Sequence, residues 1–145
     1  QTECLLQAMR PFLSQTTLIT DAGSTKQDVV QAAKKALGSG ESPDDLIANF
    51  VPAHPIAGKA QHGPIAADAT LYAGKRVVIT PLAENTPIAI ARVAQLWEAV
   101  GARVSQMSPL RHDTVFASVS HLPHLLAYAL VHDIANRPDA DAISR

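Results

Sequence analysis

Cysteine is almost missing from this chain: Cys4 stands alone among 145 residues. An internal disulfide is therefore excluded, and a reducing compartment is expected. Aromatic residues are only 4% of the total, so a core must be built from Ala, Val, Leu and Ile. Neither charge sign dominates. The net charge is −1 with both signs interspersed, which leaves no basic stripe for nucleic acid and no acidic tail. No uninterrupted apolar run reaches membrane-spanning length, and Gln1-Thr-Glu-Cys4 lacks the basic start of a signal peptide. Those absences point to a cytoplasmic protein that binds neither nucleic acid nor membrane. There is no internal repeat, no low-complexity tract and no Gly-x-Gly-x-x-Gly.

What is present is an alternating pattern rich in small aliphatics. The hydrophobic fraction, 47%, suits a buried, mostly parallel sheet covered by helices. Leu5, Leu6, Met9, Phe12 and Leu13 make one apolar stripe from the first residues. A chain that opens inside an amphipathic helix reads as an excerpt. Thr17–Thr20 reads as a short buried strand. Ser24 followed by Gln27 resembles a capping box, with Val29, Val30, Ala33 and Leu37 as the inner helix face and Gly38 as its stop. Asn49–Val51 reads as a strand leading into His54-Pro55, and Gly58–Ala69 as a polar loop with room for a short helix. Arg76–Thr80 reads as a strand ended by Pro81. Thr86 and Pro87 start a helix with Val93, Leu96, Trp97 and Val100 facing inward, and Gly101 ends it. Ala102–Met107 is the last strand. Ser108-Pro109 opens a long helical stretch carrying four of the six histidines. Four strands with helices between them imply βαβ units and half of a doubly wound domain.

The residues able to carry chemistry fall in three places. Ser24 lies where a strand meets a helix N-terminus. It serves there as a cap, as part of a site for a polar ligand drawn by backbone amides and helix dipole, or as both. His54 precedes Pro55, which holds it extended. Its imidazole then has a defined direction at a sheet edge, where open α/β sheets bind ligands, and a pKa suited to proton transfer. His112, His121 and His124 share the last helical stretch, where Pro123 should kink the helix. A metal centre needs three or four converging ligands, and no Cys or Glu partners stand at suitable spacing, so no metal is expected. A buried histidine pair and an active-site floor both remain open. Asp68, Asp133, Asp139 and Asp141 have no paired acid/base spacing and read as solvated. Met107 and Trp97 read as core.

Three segments in this order, Thr20-Asp-Ala-Gly-Ser-Thr-Lys26, Phe50-Val-Pro-Ala-His-Pro-Ile-Ala-Gly58 and Ser120-His-Leu-Pro-His124, resemble the prephenate/arogenate (cyclohexadienyl) dehydrogenases of tyrosine biosynthesis. The resemblance spans about Leu18 to Asp141. It implies an α/β fold, the C-terminal half of a Rossmann-like dinucleotide-binding domain over 1–107, leading into the first helix of an α-helical dimerisation domain over 108–145. It implies NAD or NADP as cofactor, prephenate or arogenate as substrate, and a homodimer formed through the C-terminal helices. Residue by residue, it implies His54 as acceptor of the substrate hydroxyl proton and Ser24 as a hydrogen-bonding partner of that hydroxyl and of His54. Asp21, Gly23, Ser24 and Pro55 would lie at the cofactor. Ser120, His121 and His124 would line the substrate floor, with His124 near a carboxylate; His112 matches by position and joins that group.

The chain departs from the family pattern at several points. The pyrophosphate-binding glycine turn and the ribose-reading acid do not occur in it. The substrate-binding arginine the family places on a later helix is not among these residues, and His62 stands where relatives often carry a small hydroxyl residue. Alone, this stretch is expected to be inactive and not to hold a dinucleotide. Two other readings stay open: a non-catalytic Rossmann-like regulatory or interaction module, and a related dehydrogenase acting on a 3-hydroxy acid. The His-Pro and Ser-His-Leu-Pro-His segments argue against the latter.

Overall fold

The structure, a computed structural model, describes residues 1–59 and 63–137. His62, Asp139 and Asp141 lie outside the described residues, as does the side chain of His121. The chain divides into two compact units, Gln1–His112 and Asp113–Arg145.

In the first unit, helix α1 (Thr2–Met9) gives way to a 3₁₀ turn at Arg10–Phe12. Pro11 cannot continue the α ladder, so the expected apolar stripe breaks there. Leu6 is buried and Leu13 packs against the same cluster, whereas Leu5 and Phe12 are exposed. Helix α2 (Gln27–Leu37) buries Val29, Ala33, Ala36 and Leu37. Val30, expected inside, is half-buried on the flank. The capping box does not form: Ser24 is exposed, and the helix starts three residues later behind Lys26 with no side-chain cap. Gly38 ends the helix at φ +97°, where a Cβ would lie 1.9 Å from Asp45 Oδ1. The Asp45 carboxylate accepts the Ser42 and Gly40 amides. Those backbone donors hold its pKa below the usual 3.8.

The sheet has three strands in the order β1 (Ala53–Pro55), β2 (Arg76–Ile79), β3 (Arg103–Gln106). The expected strands at Thr17–Thr20 and Asn49–Val51 amount to one parallel bridge, Ile19 to Phe50. Strands β2 and β3 are parallel, but β1 pairs antiparallel with β2, Ala53 opposite Ile79 and His54 opposite Val78. The largely parallel four-strand sheet is thus corrected to a small mixed one. A parallel return requires a crossover packed on the sheet. Between β2 and β3 that crossover is helix α3 (Pro87–Ala99), whereas the described part of the β1–β2 connection holds only the 3₁₀ turn Pro64–Ala66.

Val77, Val78 and Ile79 are fully buried, as a strand covered on both faces requires. Helix α3 begins as expected, with Thr86 Oγ1 accepting the Ala89 N–H and Pro87 in the first turn. Its inner row is Ala89, Val93 and Trp97, the last stacked edge-to-face on Tyr72. Leu96 and Val100 lie off this i, i+4 row and are exposed, not inward. Asp68 is not merely solvated. It pairs with Lys59 at 2.5 Å and accepts from Thr70, which together pull its pKa well below the carboxylate range.

Helix α4 (Pro109–Phe116) leads to a π turn at Ala117–His121 and helix α5 (Leu122–Ala135). Pro123 lacks the N–H that would close the ladder behind it, and the expected disturbance takes the form of this widened turn. Asp133 pairs with Arg137 one turn on. The residues Leu122, Leu125, Leu126, Tyr128, Leu130 and Val131 are all exposed. By length and composition the helical run Pro109–Ala135 is sufficient to cross a membrane. The sequence still holds no uninterrupted apolar run of that length; serines and histidines interrupt this helix without making it polar on average.

Candidate active site

The chain passes from the Ile19 bridge into Thr20–Gly23 and from the Phe50 bridge through Pro52 into β1. Asp21 and His54 are thereby carried to the same end of the first unit. Asp21 Oδ1 accepts the Ala53 N–H at 3.0 Å. Asp21 Oδ2 accepts the Gly23 N–H at 2.8 Å and Lys26 Nζ at 2.6 Å. The same Nζ donates to the Ala53 carbonyl at 2.6 Å, and the Lys26 side chain is completely buried. Removing one partner of a buried ion pair typically costs about 3–5 kcal/mol.

His54 is half-buried, one residue beyond this clamp. Its Nδ1 lies 2.8 Å from His112 Nε2, with the rings edge to face at 5.0 Å between centroids. His112 is fully buried in α4. The pair makes a defined tautomer possible: if His54 Nδ1–H donates to His112, His54 Nε2 is left as a lone-pair acceptor.

The positions singled out by sequence separate into those the fold joins and those it does not. His54 and His112 are joined, 58 residues apart in sequence. His112 was expected at the substrate; here it is fully buried with its Nε2 against the His54 ring. Ser24 was expected to bond His54; its hydroxyl makes no hydrogen bond among the described residues and is exposed. Asp21 and Gly23 were expected at the cofactor, and their mutual bond plus the Lys26 pair already engages the carboxylate. Pro55, also expected at the cofactor, is buried within β1. Ser120 is half-buried in the π turn and His124 exposed on α5; both belong to the second unit. The sequence placed Lys26 at the end of the first family segment but assigned it no role. Its only signal was a lysine inside an otherwise small and polar motif. Among the described residues no group of three or more His, Cys, Asp or Glu could hold a metal.

Thr20, Asp21 and Gly23 edge a cavity of about 560 Å³ walled by Leu5, Leu6 and Phe50. Thr20 Oγ1 is buried there without a hydrogen-bond partner. An apolar wall with an unsatisfied hydroxyl and a carboxylate at one rim fits one end of a dinucleotide; the glycine turn for its pyrophosphate is not in these 145 residues.

Comparison with known proteins agrees along the whole length. The family profile described as prephenate dehydrogenase, nucleotide-binding domain matches residues 1–106, and that described as prephenate dehydrogenase, dimerization domain matches residues 108–145. Cyclohexadienyl dehydrogenase of Zymomonas mobilis is 40% identical over 124 residues, 86% of this chain and 40% of that protein. Prephenate dehydrogenase of Bacillus subtilis is 37% identical over 115 residues, 79% of this chain and 29% of that protein. The crystal structure of prephenate dehydrogenase from Aquifex aeolicus in complex with hydroxyphenyl propionate and NAD+ superposes with a TM-score of 0.84 at 34% identity, covering 99% of this chain and 48% of that one. The chain thus spans less than half the length of these relatives. By sequence and by fold, it belongs to the prephenate dehydrogenase family, as part of the nucleotide-binding domain followed by the start of the dimerisation domain.

Proposed function

We propose that the full-length protein is an NAD- or NADP-dependent prephenate or arogenate dehydrogenase of tyrosine biosynthesis, cytoplasmic and homodimeric through its C-terminal helices, with the domains meeting near residue 107. The observation that carries this reading is the His54–His112 pair: a half-buried imidazole at the end of β1 whose Nδ1 is tied down at 2.8 Å. A proton acceptor is most effective when its tautomer and direction are set beforehand.

In the proposed reaction His54 Nε2 accepts the proton of the substrate's ring hydroxyl. The carbon bearing that hydroxyl becomes a carbonyl as it loses hydride, and the ring carboxylate departs as carbon dioxide while its bonding electrons complete the aromatic ring. When bound, the nicotinamide supplies the acceptor for that hydride. Aromatisation drives the change, so the residues need only orient the ring and hold developing charge. His112 stabilises the imidazolium by accepting the Nδ1 hydrogen bond. The family resemblance assigns Asp21, Gly23, Ser24 and Pro55 to the nicotinamide end of the cofactor site. The family resemblance assigns Ser120, His121 and His124 to the rest of the substrate, with His124 at a carboxylate.

Full-length protein mixed with prephenate or arogenate and either NAD or NADP should form reduced cofactor, read by its absorbance. A folded protein that reduces neither cofactor with either substrate would overturn the reading. His124→Ala should chiefly raise KM with kcat little changed, because a group holding a carboxylate binds ground and transition states nearly alike. Steady-state kinetics checks this; a fall in kcat at constant KM would place His124 at the reacting ring instead.

A further inference from the structure

We infer that Asp21 and Lys26 form a brace that positions His54, gripping both backbone groups of the residue before it; this rests on His54 being the proton acceptor. Strand β1 is three residues long and, among the described residues, pairs with β2 alone. Thr80 N–H donates to the Pro52 carbonyl and Ile56 N–H donates to the Arg76 carbonyl. Pro52 and Ile56 therefore face β2. In an extended segment the alternating residue, Ala53, directs its N–H and carbonyl the other way. No strand lies there among the described residues. Asp21 Oδ1 accepts the Ala53 N–H and Lys26 Nζ donates to the Ala53 carbonyl, and the two side chains are joined at 2.6 Å. Two side chains thus do what the backbone of a neighbouring strand would do.

The arrangement is tight. Lys26 and Ala53 are fully buried, and the Asp21 carboxylate is 16% exposed. A buried lysine is costly to desolvate, and apolar residues usually fill such space at no loss of stability. What apolar residues cannot do is satisfy one N–H and one carbonyl at once. The following residue, His54, is then restrained at three points: by the brace behind it, by Pro55 ahead of it, and by His112 at its ring. The Asp21–Lys26 pair is neutral overall, so it fixes position while adding no net charge beside the imidazole that takes up the proton.

The test uses the full-length enzyme. In Asp21→Asn/Lys26→Met an amide oxygen remains for the Ala53 N–H, no unpaired charge is buried, and the grip on the Ala53 carbonyl is lost. We expect Tm near that of the wild type, kcat lower by about tenfold or more, and KM within about twofold, since a displacement of an ångström can cost far more than that in rate. Lys26→Gln keeps a donor for the carbonyl and should retain more kcat than Lys26→Met at matched Tm; this comparison decides the matter if the double variant does not fold. Nitrogen NMR of the histidine rings reads the brace without reference to catalysis, through loss of the His54–His112 hydrogen-bond signal in the double variant. Wild-type kcat together with an unchanged His54 signal in the double variant, or equal kcat in Lys26→Gln and Lys26→Met, would overturn the inference. Failure of the enzymatic reading would appear separately, as a wild-type protein inactive on both substrates, and the NMR comparison would still decide the brace.

Discussion

His54→Asn in the full-length protein is expected to lower kcat by about two orders of magnitude or more with KM nearly unchanged, the usual contribution of a positioned general base. Asparagine keeps a polar amide of similar reach but takes up no proton near neutral pH. The fold of β1 should survive, because the backbone there is held by β2, by Pro55 and by the Asp21–Lys26 clamp, none of which uses the imidazole. The effect should therefore appear in kcat and not in Tm. Stopped-flow or steady-state measurement of reduced cofactor checks it, and activity within a few-fold of wild type would remove His54 from the proton transfer.

Phe50→Ala should produce the largest loss of stability, about 3–5 kcal/mol for deleting a fully buried aromatic ring. Phe50 is 1% exposed at the centre of the cluster formed by Ile19, Val29, Ala33, Leu37 and Ile47. Its backbone makes the parallel bridge to Ile19, and its carbonyl accepts from Asn85 Nδ2 at 2.9 Å. The ring therefore anchors the segment that delivers the chain to His54. A chemical-denaturation midpoint is the measurement. A loss below about 1 kcal/mol would mean that α2 and its neighbours collapse to fill the space, and that the cluster is less closely packed than the burial values indicate.

Some features needed no tertiary information. Strand β2 was legible because Val77-Val-Ile79 is a continuous apolar run closed by Pro81, and α3 because Thr86-Pro87 is a complete start signal; both depend on interactions within a few residues. The π turn was foreshadowed by Pro123 for the same reason. Three short segments in a fixed order were enough to identify the family. They also drew attention to His54.

What the sequence did not decide depends on contacts between distant residues. The antiparallel direction of β1 follows from the kind of connection that joins it to β2, which local periodicity does not encode. Leu96 and Val100 carry the same hydropathy as buried residues, and only the position of the sheet against α3 leaves them outside. Ser24 looked like a cap because the local pattern permits one; tertiary bonding of Asp21 and Lys26 to Ala53, 32 and 27 residues away, starts the helix later and leaves that hydroxyl exposed. His112 was visible as a histidine but not as the partner of His54, because a chain of 58 residues separates them. Periodicity and capping rules reach about one helical turn. The local pattern determined the elements with complete signals of their own, such as β2 and α3, while the site depends on side chains that meet only once those elements have packed.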